Sequence, residues 1–344
     1  MVVQSRTTVH TLPAFWHGAA LLSGRIDLSA LERPHHSTDA ELKQAEISPG
    51  HIKRLRNATS IESKQPFILI HESGYPAALR PLPYAPGVLF CLGNTDLFSE
   101  PCIAMVGARK CSNRGRRFAE QLAGDLVGAG LVTVSGLAYG IDEAVHLARP
   151  DRTIAVLGQG IERAFSGHKC RSMERILDSG GLIVSEFPPQ FPASRATFPQ
   201  RNRVVSGLSM GTLVVEAGLR SGSLITARQS LEHGRELMVV PGHPLDAHAQ
   251  GCNQLLFNGA AVIRDAADAL NCLGVSFTPA PIQSPESETH KAILGALKTG
   301  ETVDHVAAEI GLPVHEVSAQ VAELELTGWL SRLPGQRLIC RRTS

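Results

Sequence analysis

The stretch Phe198–Ala227 reads FPQRNRVVSGLSMGTLVVEAGLRSGSLITA and decides how the rest of the chain is interpreted. Its apolar run Gly211–Ala217 predicts a buried strand, and the small-residue turn Ser221–Ser223 that follows leads into the start of a helix. A strand, a Gly/Ser turn and a helix N-terminus together form an anion site, because free backbone N–H groups and the helix dipole face the space beyond the strand. Arg201 and Arg203 lie just upstream and favour a phosphate as the anion.

The same alternation of apolar strands and helical patterns extends from Phe67 to about Leu273. The strand candidates are Ile103–Val106, Leu131–Ser135, Thr153–Leu157, Gly181–Ser185, Thr212–Glu216 and Glu236–Val240. Amphipathic helix candidates between them are Arg114–Ala129, Ile141–Leu147 and Ser172–Asp178. Because buried strands that alternate with helices need a helical cover, the pattern predicts an α/β fold with a parallel sheet and helices on both faces.

Different patterns flank this main domain, which we assign to residues 63–275. Residues 1–62 are polar and contain one helix-like segment, which predicts a small helical domain or a partly disordered one. Residues 276–288 form a Pro/Ser-rich linker. Residues 289–344 offer three helix candidates followed by two short apolar pieces around a Pro-Gly turn. Three helices and a hairpin predict a winged helix.

Bulk composition limits the classes of protein to consider. The chain has 344 residues, 43% of them hydrophobic, and a net charge of +1, so a nucleic-acid partner has to be argued from local clusters of cations. No apolar run is long enough to span a bilayer, and the N-terminus lacks the basic-then-apolar order of a signal peptide. The seven cysteines are dispersed without a CxxC pair. This predicts reduced thiols in a cytoplasmic protein and no metal site.

Three strand-to-helix junctions share the chemistry of an anion site. Glycines allow a tight turn and close approach of a ligand, hydroxyl groups cap the following helix, and arginines supply positive charge. The residues that we assign to phosphate or DNA contact at these junctions are Gly107, Arg109, Ser112, Ser135, Gly136, Gly140, Arg201, Asn202, Arg203, Ser221, Gly222 and Thr226. Since the carboxyl ends of parallel strands lie on one rim of a sheet, the three junctions are expected to converge there.

The chain offers little catalytic chemistry. Its histidines lack a paired nucleophile or carboxylate at the spacing of a triad, and no GxxxxGK[ST] loop is present. The glycines after Ser135 do not have the spacing of the dinucleotide fingerprint. We interpret Glu216 as a buried partner of one of the arginines and not as a catalytic carboxylate. No catalytic residue, cofactor or metal is therefore expected.

A series of segments in fixed order resembles the DNA-processing protein A (DprA/Smf) family. They are YPAALRPLPYAPGVLFCLGN, GARKCSNRG, SGLAYGIDEAVH, FPQRNRVVSGLS, VVEAGLRSGSLITA, GRELMVVPGHPLD and GCNQLLFNGA, within residues 67–275. The resemblance implies a Rossmann-like core, a helical N-terminal domain of the SAM-like type and a C-terminal winged helix. It also implies a non-enzymatic, dimeric, cytoplasmic protein that binds single-stranded DNA, protects incoming DNA and helps to load the RecA recombinase during natural transformation.

The family motifs transfer residue by residue, with one departure. The turn G-S-R-x-x-S matches Gly107, Ala108, Arg109 and Ser112, with alanine in place of serine. The other matching motifs are S-G-x-A-x-G-I-D at 135–142, R-N-R at 201–203 and S-G-S-L-I-T-A at 221–227. Where the family has Tyr-Pro, a basic residue and Asn, this chain has FSGHK, so Lys169 is our assignment for the basic position. The resemblance implies binding that weakens with salt and that loses strength in Arg109→Ala and Arg203→Ala.

Two alternative functions stay open. The first is a nucleotide-hydrolysing enzyme of the nucleoside-monophosphate phosphoribohydrolase type, which has a related core and a P-G-G-x-G-T-x-x-E motif. This chain has Leu208-Ser209-Met210 before Gly211-Thr212, and Glu216 lies one residue too far on. The second is a transcription regulator whose winged helix reads DNA. The third helix of that domain, within 313–328, has three glutamates and no Lys or Arg, which favours protein contact or weak duplex contact through the wing.

Overall fold

The computed structural model describes residues 9–29, 31, 33–275, 287–297, 301–326, 329–333 and 335–340. The chain divides into two compact units, residues 1–277 and residues 278–344. Each unit has its own apolar core. Within the described ranges, no helix is both long enough and apolar enough to cross a membrane.

The strands and helices alternate through most of the chain. The strands are β1 (His10–Leu12), β2 (Ile61–Ser63), β3 (Phe67–Leu69), β4 (Val88–Gly93), β5 (Cys102–Gly107), β6 (Val132–Ser135), β7 (Thr153–Leu157), β8 (Leu182–Ser185), β9 (Gly211–Glu216), β10 (Glu236–Val239), β11 (Ala261–Val262), β12 (Glu301–Thr302), β13 (Leu330–Leu333) and β14 (Arg337–Cys340). The helices are α1 (Ala14–Leu21), α2 (Asp39–Gln44), α3 (Pro49–Asn57), α4 (Asn113–Gly128), α5 (Ile141–Ala148), α6 (Ile161–Phe165), α7 (Cys170–Asp178), α8 (Thr197–Gly207), α9 (Ser223–Glu232), α10 (Gln250–Phe257), α11 (Ala266–Cys272), α12 (Glu288–Ala296), α13 (Val303–Ile310) and α14 (Val314–Leu326).

A nine-stranded sheet organises the large unit, in the order β11-β10-β9-β5-β6-β7-β8-β4-β3. The strands from β11 to β8 run parallel, whereas β4 and β3 add an antiparallel edge beside β8. Residues of β5, β6, β7, β8 and β9 are buried throughout, as expected for a sheet that is covered on both faces. The predicted Rossmann-like α/β fold is confirmed, and the six predicted strands are found with shifts of about one residue at their ends.

Two features of the large unit were not predicted. The edge strands β3 and β4 have continuous apolar sequences without a helix between them, so they lack the alternation of strands and helices from which the other strands were predicted. The segment Thr197–Gly207 forms helix α8, which was not among the helix candidates predicted from the sequence. Its hydrophobic positions do not form a regular stripe, because this helix carries buried polar side chains as well as apolar ones.

The N-terminal segment contains helices α1, α2 and α3, which agrees with the helical alternative of the two predicted from its sequence. Thr38 and Glu41 form a capping box at the start of α2, and Ser48 caps α3 by accepting the His51 N–H. Trp16 of α1 and Leu42 of α2 belong to the same buried cluster as residues of the large sheet. The helices therefore pack in continuity with the main core, and the assigned boundary between residues 62 and 63 stays a prediction.

The C-terminal unit is a winged helix, as predicted. Helices α12, α13 and α14 precede the hairpin β13–β14, and β12 pairs with β14 to complete a three-stranded sheet. The core includes Val317, Val321 and Leu324, which lie at positions i, i+4 and i+7 on one face of α14. Gly311 ends α13 in the left-handed conformation at φ 71°. Most of the predicted linker, residues 276–286, lies outside the described residues.

Candidate functional site

The best candidate site lies where the strand order of the large sheet reverses. β5 lies between β6 and β9, so the connections from β5 and β9 leave the sheet in opposite directions. A cleft of about 450 Å³ opens at the carboxyl ends of these strands. We call it the main cleft. The predicted site residues that line it are Gly107, Arg109, Gly136, Arg201, Asn202, Ser221, Gly222 and Thr226.

The turn after β5 combines a tight backbone with an exposed cation. A Cβ atom on Gly107 would lie 2.6 Å from Ile141, so glycine is needed at this position. Ser112 caps α4, since its Oγ accepts the Gly115 N–H at 2.9 Å. Its hydroxyl therefore serves the helix and does not line the main cleft. Arg109 is exposed, and its guanidinium lies over the ring of Phe198, 5.2 Å from the ring centroid.

The turn after β6 is held by hydrogen bonds from its backbone. The Gly136 and Ala138 N–H groups donate to Oδ2 of the buried Asp142 at 3.2 and 3.3 Å. A Cβ atom on Gly140 would lie 2.3 Å from the Ala108 carbonyl oxygen, so this turn packs against the turn after β5. Ser135 is fully buried and its hydroxyl donates to the Met105 carbonyl at 2.6 Å. Its side chain has no access to the surface, and Ser135 is not retained as a contact.

Buried ionisable groups fix the same turn. Leu137, whose φ is 51°, donates its N–H to Nε2 of His146 at 3.3 Å, while Nδ1 of His146 lies 2.7 Å from Thr153 Oγ1. Burial, with the charges of Lys169 and Arg201, lowers the pKa of His146 to about 3, so the ring is neutral and can accept this bond. Burial also raises the pKa of Asp142, and the Arg201 charge opposes that shift.

Arg201 is a buried cation at the floor of the main cleft. The residue is 4% exposed, and its Nη1 donates to the Val156 carbonyl at 2.5 Å. A Cβ atom on Gly136 would lie 2.0 Å from Nη1, so the guanidinium occupies the space that a side chain there would need. Burial lowers the pKa of Arg201 to about 10 although the Asp142 charge raises it. Arg201 is thus protonated at neutral pH and places a fixed positive charge beneath the cleft.

Arg203 does not reach the main cleft. Residues two apart on a helix point in different directions, so α8 separates Arg201 from Arg203. Arg203 forms a salt bridge with Glu186, and its side chain is 11% exposed. We predicted both arginines as phosphate contacts because helix α8 was not recognised in the sequence. Arg203 is therefore a partner of Glu186 inside the fold and is not retained as a DNA contact.

The turn after β9 supplies the opposite wall. Ser221, Gly222 and Thr226 line the main cleft at the N-terminus of α9, and Oγ of Ser221 lies 2.7 Å from Oγ of Ser223. Arg220 also lines the cleft and is exposed. Arg220 was not among the site residues predicted from the sequence, although its position directly before the Ser-Gly-Ser turn was a usable signal. Lys110 and Phe198, also missed as site residues, line the cleft as well.

A side cleft of about 190 Å³ adjoins the main cleft. The two clefts share Arg109, Gly136, Ala138, Phe198 and Arg201. The side cleft adds apolar walls and one further cation, so it extends the positively charged surface along the rim.

Lys169 is that cation, the residue that we assigned to the basic position of the family motif. Its Nζ lies 3.8 Å from the ring centroid of Tyr139 and 3.8 Å from Oε1 of Glu143. Burial lowers the pKa of Lys169, while the charges of Glu143 and Asp142 oppose the shift. Tyr139 is 52% exposed and offers a flat apolar surface beside this cation.

The arrangement suits an anion through its charge and its helix N-terminus. Glu216, at the end of β9, accepts the backbone N–H of Ser112 at 2.8 Å, where the sequence suggested an arginine as its partner. Among the described residues, no group of three or more His, Cys, Asp or Glu side chains is placed to hold a metal ion. Cations around a cleft with an open helix N-terminus fit a phosphate-bearing ligand.

Both units match known families. A family model described as DNA recombination-mediator protein A matches residues 66–274, and one described as DprA winged helix domain matches residues 277–336. Protein Smf of Escherichia coli (strain K12) is 37% identical over 282 residues, which cover 78% of this chain and 75% of that protein. The family resemblance drawn from the sequence motifs is confirmed.

Solved structures agree with these matches. The X-ray structure of DNA processing protein A from Streptococcus pneumoniae matches with a TM-score of 0.58 at 31% identity, over 76% of this chain and 94% of that one. A structure of DNA processing protein A from Helicobacter pylori, described for its single-stranded DNA binding mode, matches with a TM-score of 0.55 at 27% identity, over 62% of this chain and 98% of that one.

Proposed function

This chain belongs to the DNA recombination-mediator protein A (DprA) family, and we propose that it binds single-stranded DNA through the main cleft. The observation that carries the proposal is the convergence of Arg109, Lys110, Arg201 and Arg220 around the N-terminus of α9. Positive charge around a helix N-terminus suits a phosphate backbone, because both the cations and the helix dipole attract phosphate oxygens and neither requires a particular base. The single-stranded DNA binding of the Helicobacter pylori protein supports the same ligand.

The proposed contacts differ from the set assigned from the sequence. We retain Arg109, Asn202, Ser221, Gly222 and Thr226, with Gly107, Gly136 and Gly140 shaping the turns and Arg201 acting as a buried charge. Arg220 joins the contacts, and Lys169 serves the side cleft. Ser112, Ser135 and Arg203 are left out, because they line neither cleft and their side chains have partners within the fold.

The physical setting favours electrostatic binding. Aromatic residues make up 5% of the chain, so few bases can stack, although Phe198 and Tyr139 offer two surfaces at the rim. We therefore infer that affinity falls steeply with salt concentration and depends little on base sequence. We further infer a non-enzymatic, cytoplasmic homodimer that protects incoming DNA and helps to load RecA during natural transformation or recombination.

Binding of labelled oligo-dT over a salt series tests the proposal. We expect tight binding at low salt and a linear loss of log affinity with log salt concentration. A base-release assay on nucleoside monophosphates runs in parallel, since the phosphoribohydrolase alternative predicts free base and weak binding of oligo-dT. The engagement of Glu216 by the Ser112 N–H supports the non-enzymatic function. Release of base without DNA binding would contradict the proposal, and a pull-down with RecA tests the partner.

A further inference from the structure

Helix α8 joins the main cleft to the N-terminal segment, because its two faces have different partners. One face presents Arg201 and Asn202 to the main cleft. The other face presents Gln200 and Arg203 to Ser23, in the loop that follows α1. A movement of the helix against the N-terminal segment therefore changes the wall of the cleft.

A network of four residues holds α8 to this loop, and we call it the α8 clamp. Oε2 of Glu186 accepts hydrogen bonds from Ser23 Oγ and from Nη2 of Arg203. Nη2 of Arg203 also donates to Ser23 Oγ at 3.3 Å, and Nε2 of Gln200 donates to the Ser23 carbonyl. The clamp thus consists of Ser23, Glu186, Gln200 and Arg203, and it connects α8 to both the N-terminal loop and the residue after β8.

The clamp leaves α8 little freedom. Glu186 is 1% exposed and Arg203 is 11% exposed, so separating this charge pair would leave a buried charge without a partner. Gly24 has a φ of 69°, and a Cβ atom there would lie 2.7 Å from the Gln200 side chain. The loop and the helix are therefore in close contact, and neither can shift without breaking the network.

The opposite face of α8 tolerates equally little movement. Arg201 fills the space beside Gly136, where a Cβ atom would lie 2.0 Å from Nη1, and it donates to the Val156 carbonyl. A displacement of α8 by a fraction of an ångström would change the position of this charge relative to the turn after β6. Asn202, which lines the cleft on the same helix, would move with it.

We propose that the α8 clamp sets the DNA affinity of the main cleft, with Ser23 and Glu186 as positioning residues that act through α8. The inference rests on the proposed binding of single-stranded DNA. In this arrangement the N-terminal segment is part of the framework of the DNA site, and its docking onto α8 determines whether Arg201 and Asn202 are correctly placed.

Ser23→Ala in the full chain is the first test. The substitution removes the hydroxyl shared by Glu186 and Arg203 and leaves the main cleft untouched. We expect the affinity for oligo-dT to fall about fivefold, the size typical of an indirect coupling. Glu186→Gln keeps the shape of the side chain but removes its charge, and we expect a loss at least as large. Ser48→Ala is the matched control, since it removes a helix cap in the same segment away from α8.

Double variants separate positioning from general destabilisation. If Ser23 acts through α8, the fold loss in Ser23→Ala/Asn202→Ala is smaller than the product of the two single losses. The loss in Ser23→Ala/Arg220→Ala equals the product, because Arg220 lies on the turn after β9 and not on α8. Circular dichroism at the assay temperature confirms that each variant is folded.

Each outcome decides between the two proposals. If the wild type binds oligo-dT and Ser23→Ala binds it equally well, the role of the clamp is overturned and the proposed function stands. The same holds if the loss in Ser23→Ala/Asn202→Ala equals the product of the two single losses, as expected for Ser23→Ala/Arg220→Ala. An equal loss in Ser48→Ala also overturns it. Wild-type protein that fails to bind oligo-dT at low salt overturns both the proposed function and the clamp.

Discussion

The main cleft and the winged helix both carry exposed cations, but two of the cations in the winged helix have carboxylate partners. Among the described residues, Arg109, Lys110 and Arg220 at the main cleft form no salt bridge. In the winged helix, Arg332 is paired with Glu325 at 3.1 Å and Lys291 with Glu288 at 2.6 Å. A cation that already has a carboxylate partner gains less from a phosphate, because binding must first break the existing pair.

The backbone strengthens this difference. At the main cleft the free cations surround the N-terminus of α9, and buried Asp142 and His146 hold the turn after β6 in place. The third helix of the winged helix carries Glu316, Glu323 and Glu325. An anion site thus depends on unpaired cations held by a rigid backbone, and the number of basic residues alone does not define it.

The double variant Arg109→Ala/Arg220→Ala is expected to have the largest effect. Loss of two cations should weaken oligo-dT binding on the order of 100-fold at low salt, or about tenfold for each. The slope of log affinity against log salt should fall by about 1.4, or 0.7 for each lost phosphate contact. Arg332→Ala in the winged helix is the control and should leave the slope unchanged. An unaltered slope in the double variant would remove these residues from the interface.

Gly136→Ala tests the buried charge beneath the cleft. The added methyl group overlaps the position of Arg201 Nη1, so the guanidinium has to leave its place beside Val156. We expect affinity to fall about tenfold, or roughly 1.4 kcal/mol. Gly124→Ala is a suitable control, because a Cβ atom there has no neighbour within 4 Å. Equal binding by both variants would show that the position of Arg201 does not matter.

Acid is expected to destabilise the large unit through His146. The folded-state pKa is about 3 and the ordinary value is 6.5, so only the unfolded chain takes up this proton between those values. Stability is therefore unaffected above about pH 6.5 and falls by about 1.4 kcal/mol per pH unit below it, down to about pH 3. Asp142, with a raised pKa, acts in the opposite direction.

The measurement is urea unfolding of the wild type and of His146→Gln between pH 4 and pH 8. Glutamine can accept the Leu137 N–H but does not ionise, so the wild type should lose stability relative to the variant as the pH falls. A constant difference between the two proteins would mean that His146 titrates normally in the fold.

The sequence predicted the sheet and the rim because both follow from local patterns. Apolar runs that end at Gly107, Ser135 and Glu216 identified three of the strands. The rule that ligands bind at the carboxyl ends of parallel strands then predicted that the turns after these strands converge. The placement of Arg201 and Arg203 on different faces could not be predicted without recognising α8, since the direction of a side chain on a helix depends on its position along the helical turn. Ser23 and Glu186, which share a hydrogen bond, are 163 residues apart in the chain, and no local sequence pattern connects them.

Removal of residues 286–344 should have the smallest effect and is the most direct test of the difference between the main cleft and the winged helix. The winged helix has its own core, and the cations described above are paired, so single-strand affinity should change by less than about twofold, or 0.4 kcal/mol. The salt slope should also stay the same, because no phosphate contact is lost. A large loss of affinity together with a lower slope would mean that the wing binds the strand, and the contrast between paired and free cations would then not explain where DNA binds.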